Sequence, residues 1–301
     1  MKIKNIIWGL GLCAVGLFGT EAKAQIAPFN AMYFHNQYLN NPAFAGINQG
    51  LELNVGYRQQ WSEMPGSPKV QTLTGSYALG SHTGLGINLN HDQTGLFKRT
   101  RFMGTYAYHL PLNSKSDKLS FGISVGVLDE LVDFSLLDGD LGDNSAIDFN
   151  QRDQYIDGDF GIAYTSEKWK IQASVPHIKE NLKVVKEGEN YADAAQFYFS
   201  SSFKLASGIE SGIGIEPQVG LRTFRGFDNI IDLGVNITLA QDKMGFIAMY
   251  HTNKAASLGF SGKLNNTFQL MGYYNWTTSN LLGQGNGTFE LALKVKFLKK
   301  S

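Results

Sequence analysis

The chain has 301 residues, 17% of them charged, with Lys+Arg 26 against Asp+Glu 26 and a formal net charge of +0. No basic excess exists to neutralise phosphates, which removes the electrostatic basis of nucleic-acid binding. With Gly at 34, Phe at 20, Tyr at 13 and Pro at only 7, the composition excludes disorder and suits many short strands better than helices.

Residues 1–24 read as a signal peptide. Lys2 and Lys4 form a basic start, Ile6 to Phe18 an apolar run, and Ala22-Lys23-Ala24 a small-x-small cleavage site, so the mature chain is expected to begin at Gln25. The apolar run is shorter than the roughly 20 residues that a membrane-spanning helix needs. The single cysteine, Cys13, lies inside this segment. Leu12 is a poor neighbour for a lipid-modified cysteine, so the mature chain is expected to carry no thiol and no disulfide. Residues 25–50 hold Pro28 and Pro42 and show little alternation. They read as an irregular segment, either periplasmic or lumenal.

From residue 51 onward the sequence alternates with period two. Strands are expected at 51–61, 70–78, 83–92, 97–109, 118–127, 155–164, 169–175, 196–205, 212–221, 231–239, 243–250, 256–263, 267–276 and 287–297. The last is the clearest: Phe289, Leu291, Leu293, Val295 and Phe297 share one face, and Glu290, Lys294 and Lys296 the other. Such strands fit a soluble sandwich or a transmembrane barrel. Three features favour the barrel. The polar faces carry Gly, Ser, Asn, Thr and Gln rather than charges. Aromatics such as Tyr106, Tyr108, Tyr274 and Trp276 sit at strand ends, as in an interfacial girdle. The segments are long enough to cross a bilayer when tilted. The expected fold is therefore all-β: an antiparallel outer-membrane β-barrel of about fourteen strands over 51–301, an even number as in single-chain bacterial barrels. Even-numbered connections, around Ser81, Ser114, Ser166, Ser207, Asp242 and Asn265, are short. The longest odd-numbered ones are Leu128 to Gln154 and Pro176 to Ala195. That parity places the short turns and both termini in the periplasm.

Several motifs add a resemblance. Tyr38-Leu39-Asn40-Asn41-Pro42-Ala43-Phe44-Ala45-Gly46 resembles the N-terminal NPAxAG motif of the PorP/SprF family. Tyr57-Arg58-Gln59-Gln60-Trp61 resembles its YRxQW strand, and Gly66-Ser67-Pro68-Lys69-Val70-Gln71-Thr72-Leu73 its GxPxTQTL segment, with Val70 in place of Thr. The likeness covers essentially the whole mature chain. It implies an outer-membrane component of type IX secretion and gliding that assists export or surface attachment of cargo such as adhesins. It implies secretion or gliding components and a cargo C-terminal domain as partners, and no catalysis or cofactor.

The motif residues Asn41, Pro42, Gly46, Tyr57, Arg58 and Trp61 are the candidate partner-binding set, grouped where the N-terminal segment meets the first strand at the periplasmic rim. Each also has a plainer reading. Pro42 and Gly46 make a turn, Trp61 anchors at the interface, and Arg58, on the face of Glu52 and Asn54, pairs with a carboxylate inside the lumen. No nucleophile, base and orienting acid can be assembled from sequence, since His91 and Asp92 point to opposite faces of a strand. The acidic stretch from Asp138 to Asp159 lacks the ligand order of an EF-hand and reads as a solvated outer loop rather than a metal site. Two other functions fit a barrel. A channel for small or hydrophobic solutes requires an unfilled lumen, and an adhesive barrel binds a surface polymer through its loops.

Overall fold

The computed structural model describes residues 32–62, 66–113, 116–133, 150, 154–182, 195–205, 212–224, 228–277 and 287–297. The strands are β1 (Leu51–Gln60), β2 (Lys69–Leu79), β3 (Thr83–Thr94), β4 (Phe97–Pro111), β5 (Lys118–Val132), β6 (Tyr155–Thr165) and β7 (Trp169–Val175). They continue with β8 (Ala195–Phe203), β9 (Ile213–Phe224), β10 (Ile230–Leu239), β11 (Met244–His251), β12 (Ala255–Lys263), β13 (Phe268–Thr277) and β14 (Thr288–Phe297). Each pairs with its sequence neighbours in antiparallel order, and β14 returns to β1 from Leu51↔Phe297 to Gln60↔Thr288. The sheet closes on itself, so no edge is left to pair with another chain. One short helix, α1 (Ile178–Leu182), follows β7. Among the described residues no helix is long and apolar enough to cross a membrane.

The pleat explains the closure. In β14, Phe289, Leu291 and Phe297 are exposed, whereas Thr288, Glu290, Ala292 and Lys294 are buried. A sandwich would turn the apolar row inward. Here it forms the outer surface, as a barrel in lipid requires. Two strands run three residues or more past their expected ends. β5 reaches Val132, paired with Phe97, and β9 reaches Phe224. Alternation fails in β5 because Leu128, on the inner face, is an apolar residue only 1% exposed. The ladder continues where the polarity pattern does not.

The strand ends that flank 80–82, 112–117, 166–168, 204–212, 240–243 and 264–267 share one rim. Those that flank 133–154 and 176–194 share the other. The inner wall is not uniformly polar. Val70, Tyr198, Ile247, Met249, Met271, Tyr273 and Ala292 line a buried apolar cluster around Met32 and Phe34 of the N-terminal segment. Of the two places considered for that segment, its residues from Met32 on occupy the lumen. Residues 1–31, including the signal peptide expected at 1–24, lie outside the described residues.

Candidate functional site

Three short 3-10 turns, Met32–Phe34, Gln37–Leu39 and Pro42–Phe44, form a plug inside the barrel. Short turns suit this sequence because Asn36, Asn40 and Asn41 favour turns, and Pro42 fits the first position of a helical turn. The Asn41 side chain accepts a hydrogen bond from the Ala43 amide at 2.9 Å and so caps the third turn. Its Nδ2 faces the wall, within 3.2 Å of the Ile162 carbonyl, 3.1 Å of Gln172 Oε1 and 3.2 Å of the Ala173 carbonyl. Further bonds seat the plug. Tyr38 donates to Thr105 Oγ1 (2.8 Å), Asn36 to Thr74 Oγ1 (3.0 Å) and Ser174 to the Asn40 carbonyl (2.7 Å). His109 Nε2 donates to the Ala45 carbonyl at 3.0 Å. On β14, Glu290 accepts from the Met32 amide (3.1 Å), and Lys294 donates to the His35 carbonyl (2.7 Å).

Wall glycines make room for the plug backbone. A Cβ at Gly84 would stand 1.8 Å from the Ala45 carbonyl oxygen, at Gly122 2.2 Å from the Pro42 carbonyl carbon, and at Gly161 2.0 Å from Asn41 Oδ1. No side chain fits at such distances, so β3, β5 and β6 must be bare at these three points. Tyr38, Ala43, Phe44 and Ala45 pack on Ala107 and Ala163, equally small wall residues. Burial, with Lys294 and Lys170 nearby, pushes the His35 imidazole down to about 3, so it is neutral where it meets the Tyr273 hydroxyl at 2.6 Å. Burial likewise pushes the Tyr38 phenol up, which keeps it a donor.

The six candidate residues do not form one cluster. Asn41 and Pro42 are buried in the plug against β5–β7. Gly46, at φ +64, passes so near the Tyr77 carbonyl that a Cβ would sit 2.5 Å from it. Arg58 is seven positions along β1 from Leu51, roughly 23 Å away at about 3.3 Å per residue. The expected grouping at the periplasmic rim is corrected accordingly: the plug folds back into the lumen, where its start at Met32 lies against Gly56 of β1 and Glu290, while Asn41 and Pro42 lie against β5–β7. The pleat then divides neighbours. Tyr57 faces outward with its hydroxyl on Gln59 (3.1 Å), and Arg58 faces inward, 3% exposed, 3.7 Å from Glu290. Trp61, at φ 50, ends β1 at the long-loop rim, its amide on the Gly287 carbonyl.

Two polar networks were not expected from sequence. Asp232 Oδ1 lies 2.6 Å from His251 Nδ1, and His251 Nε2 lies 2.8 Å from Ser257 Oγ. This has the connectivity of an acid–base–nucleophile relay, which no reading of sequence neighbours assembled. Arg222 also clamps Asp232 through two bonds of 2.8 and 2.6 Å, and none of Asp232, His251 and Ser257 is more than 1% exposed. The geometry ties β9 to β12 together and leaves the hydroxyl no approach. The second network corrects the outer-loop reading of the acidic stretch at its end. Asp157 and Asp159 lie on the inner face of β6, where Arg101 bonds both and His177 bonds Asp157. Register decides it, since both share the face of buried Ala163. Asp138, Asp140, Asp143, Asp148 and Asp153 lie outside the described residues.

A closed barrel with an apolar exterior and its own N-terminal segment seated in the lumen defines a plugged outer-membrane β-barrel. The sequence profile described as type IX secretion system membrane protein PorP/SprF matches residues 22–295. The chain belongs to that family and is an outer-membrane protein. Among solved structures it is similar to the CymD monoaromatic hydrocarbon channel, with TM-score 0.55, 14% identity, and coverage of 94% of this chain and 96% of that one. It is also similar to the P. putida toluene transporter TodX (TM-score 0.48, 9% identity, coverage 88% and 95%). The Acinetobacter baumannii outer-membrane protein Omp33 gives 0.48, 7% identity, and coverage of 84% and 100%. At these identities the likeness concerns the fold alone. No curated protein matches the chain.

Proposed function

We propose that this barrel serves type IX export by assisting the release or surface attachment of cargo proteins such as adhesins, without catalysing a reaction. Its partners are secretion or gliding components and the cargo C-terminal domain. Membership of the PorP/SprF family along nearly the whole mature chain carries the reading. The seated plug supports it against a solute channel, which needs a lumen that its own N-terminal segment does not occupy. Deletion of the gene should remove a defined set of cargo from the cell surface, and gentle detergent extraction should recover a machine component with the barrel. Normal surface cargo in the deletion strain, with nothing co-purifying, would sink the proposal.

Arg58→Lys tests one candidate contact in the same assay. Lysine keeps the charge but loses the planar fork of donors that Arg58 presents to Gln60 and Glu290. The barrel should still form, while cargo display falls. Wild-type display at normal barrel abundance would return Arg58 to a filling role.

The orientation follows from loop parity, with short turns in the periplasm. A tag inserted at Asn144 should be labelled on intact cells and one at Ser81 should not. The reverse pattern would invert the barrel.

A further inference from the structure

The chain is neutral overall, yet its cations are sorted. Lys118 lies two residues before buried Ser120 on β5, and Lys263 two residues after buried Ser261 on β12. Both therefore share the lumen-facing side at the short-turn rim. Ladder bonds carry that register into the adjoining turns: the Lys204 amide donates to the Lys168 carbonyl and the Lys263 amide to the Lys243 carbonyl, each at 2.8 Å. Just inside the mouth, Lys170 pairs with Glu216 at 2.9 Å, and Lys294 and Lys296 share Glu52 at 3.2 and 3.4 Å. No salt bridge engages Lys118, Lys168, Lys204, Lys243 or Lys263 among the described residues. Asp117, Glu167 and Asp242 adjoin Lys118, Lys168 and Lys243 in the chain, so the five lysines face three neighbouring carboxylates and the mouth keeps a cationic excess.

The outer side of the same rim has the opposite chemistry. Trp169, Leu205, Met244, Leu264 and Phe268 are all exposed there. These residues meet lipid, while the lysines stand on the water-filled side of the wall. Headgroup phosphates in the surrounding leaflet are thus on the wrong side of the barrel. A concentration of like charge repels itself, and a complementary anion entering the mouth relieves that cost. The floor is closed by the plug, with Lys294 on the His35 carbonyl. The occupant must therefore enter and stop.

We propose that the short-turn mouth receives an acidic, extended segment of a partner polypeptide. This rests on the export reading only for the periplasmic origin of that partner. The test uses the purified full-length barrel in detergent and a fluorescent peptide of alternating Glu and Gly, with an alternating Gln and Gly peptide as control. The acidic peptide should bind, the neutral one should not, and added salt should weaken binding because the contacts are exposed. Combining Lys168→Gln, Lys204→Gln, Lys243→Gln and Lys263→Gln should weaken binding by about tenfold or more. The matching Arg set should retain it. These positions are in or beside turns, and heat-modifiable migration verifies that each variant is folded. Equal binding of the two peptides, unchanged binding by the Gln set, or displacement by inorganic phosphate at matched charge would each overturn the proposal, the last by revealing a simple anion site. No cargo enters this assay, so its failure leaves the export reading standing, and loss of the export reading leaves the peptide result intact.

Discussion

Gly122→Val should unseat the plug and open the lumen to ions. The added Cβ would stand 2.2 Å from the Pro42 carbonyl carbon and 2.3 Å from the Ala43 nitrogen, both backbone atoms. That backbone cannot simply retreat, because the Asn41 side chain ties the same turn to β6 and β7. Overpacking of this kind costs about 1–3 kcal/mol, and a plug without covalent attachment to the far wall can avoid it by leaving. Valine suits the strand itself, so the barrel should survive. In planar bilayers the variant should conduct several-fold more than the parent. Gly104→Val is the control, since that glycine is exposed on the outer face and its Cβ would meet nothing closer than 3.8 Å. Equal conductance from both variants would mean that the wall glycines do not seat the plug.

Asp232→Ala should cost more stability than any single surface change. The carboxylate is fully buried and accepts bonds from Arg222 at 2.8 and 2.6 Å and shares one with His251 at 2.6 Å. Its removal leaves a buried guanidinium without its counter-charge, a loss of about 3–5 kcal/mol. Replacing both ions, as Arg222→Met with Asp232→Leu, keeps volume and removes the unpaired charge, so that double variant should lie near the parent. The readout is the temperature at which the heat-modifiable band disappears. A single variant as resistant as the parent would show that this network does not hold β9 to β12 together.

The strands were legible because lipid outside and side chains inside impose one polarity switch per residue. Phe289 to Phe297 could hardly be read another way. The end of β5 was not legible, because Leu128 on its inner face is apolar, whereas β11 and β13 were read correctly although Met249 and Met271 line the lumen. The N-terminal segment was legible as irregular but not as a plug. Its docking surface is made of Gly84, Gly122 and Gly161, and a missing side chain leaves no periodic signal. The candidate set was misjudged as one cluster because proximity in sequence was taken for proximity in space. Asn41 and Arg58 are 17 positions apart (58 − 41), yet they face different strands. The Asp232–His251–Ser257 alignment depends on the register of three consecutive hairpin strands, which the pattern of alternation alone does not set.

Strand β14 both closes the cylinder on β1 and supplies Glu290 and Lys294 to the Met32 amide and the His35 carbonyl. These contacts join positions 258 and 259 residues apart, almost the full length of the chain. Neither can form until the last strand has been delivered, and pairing over such a separation is intrinsically late and slow. The plug's bonds to β4, β6 and β7 need no closing strand, whereas its fastening at Met32 and His35 waits for closure. The last strand to arrive therefore seals the wall and completes the seat of the plug in one step.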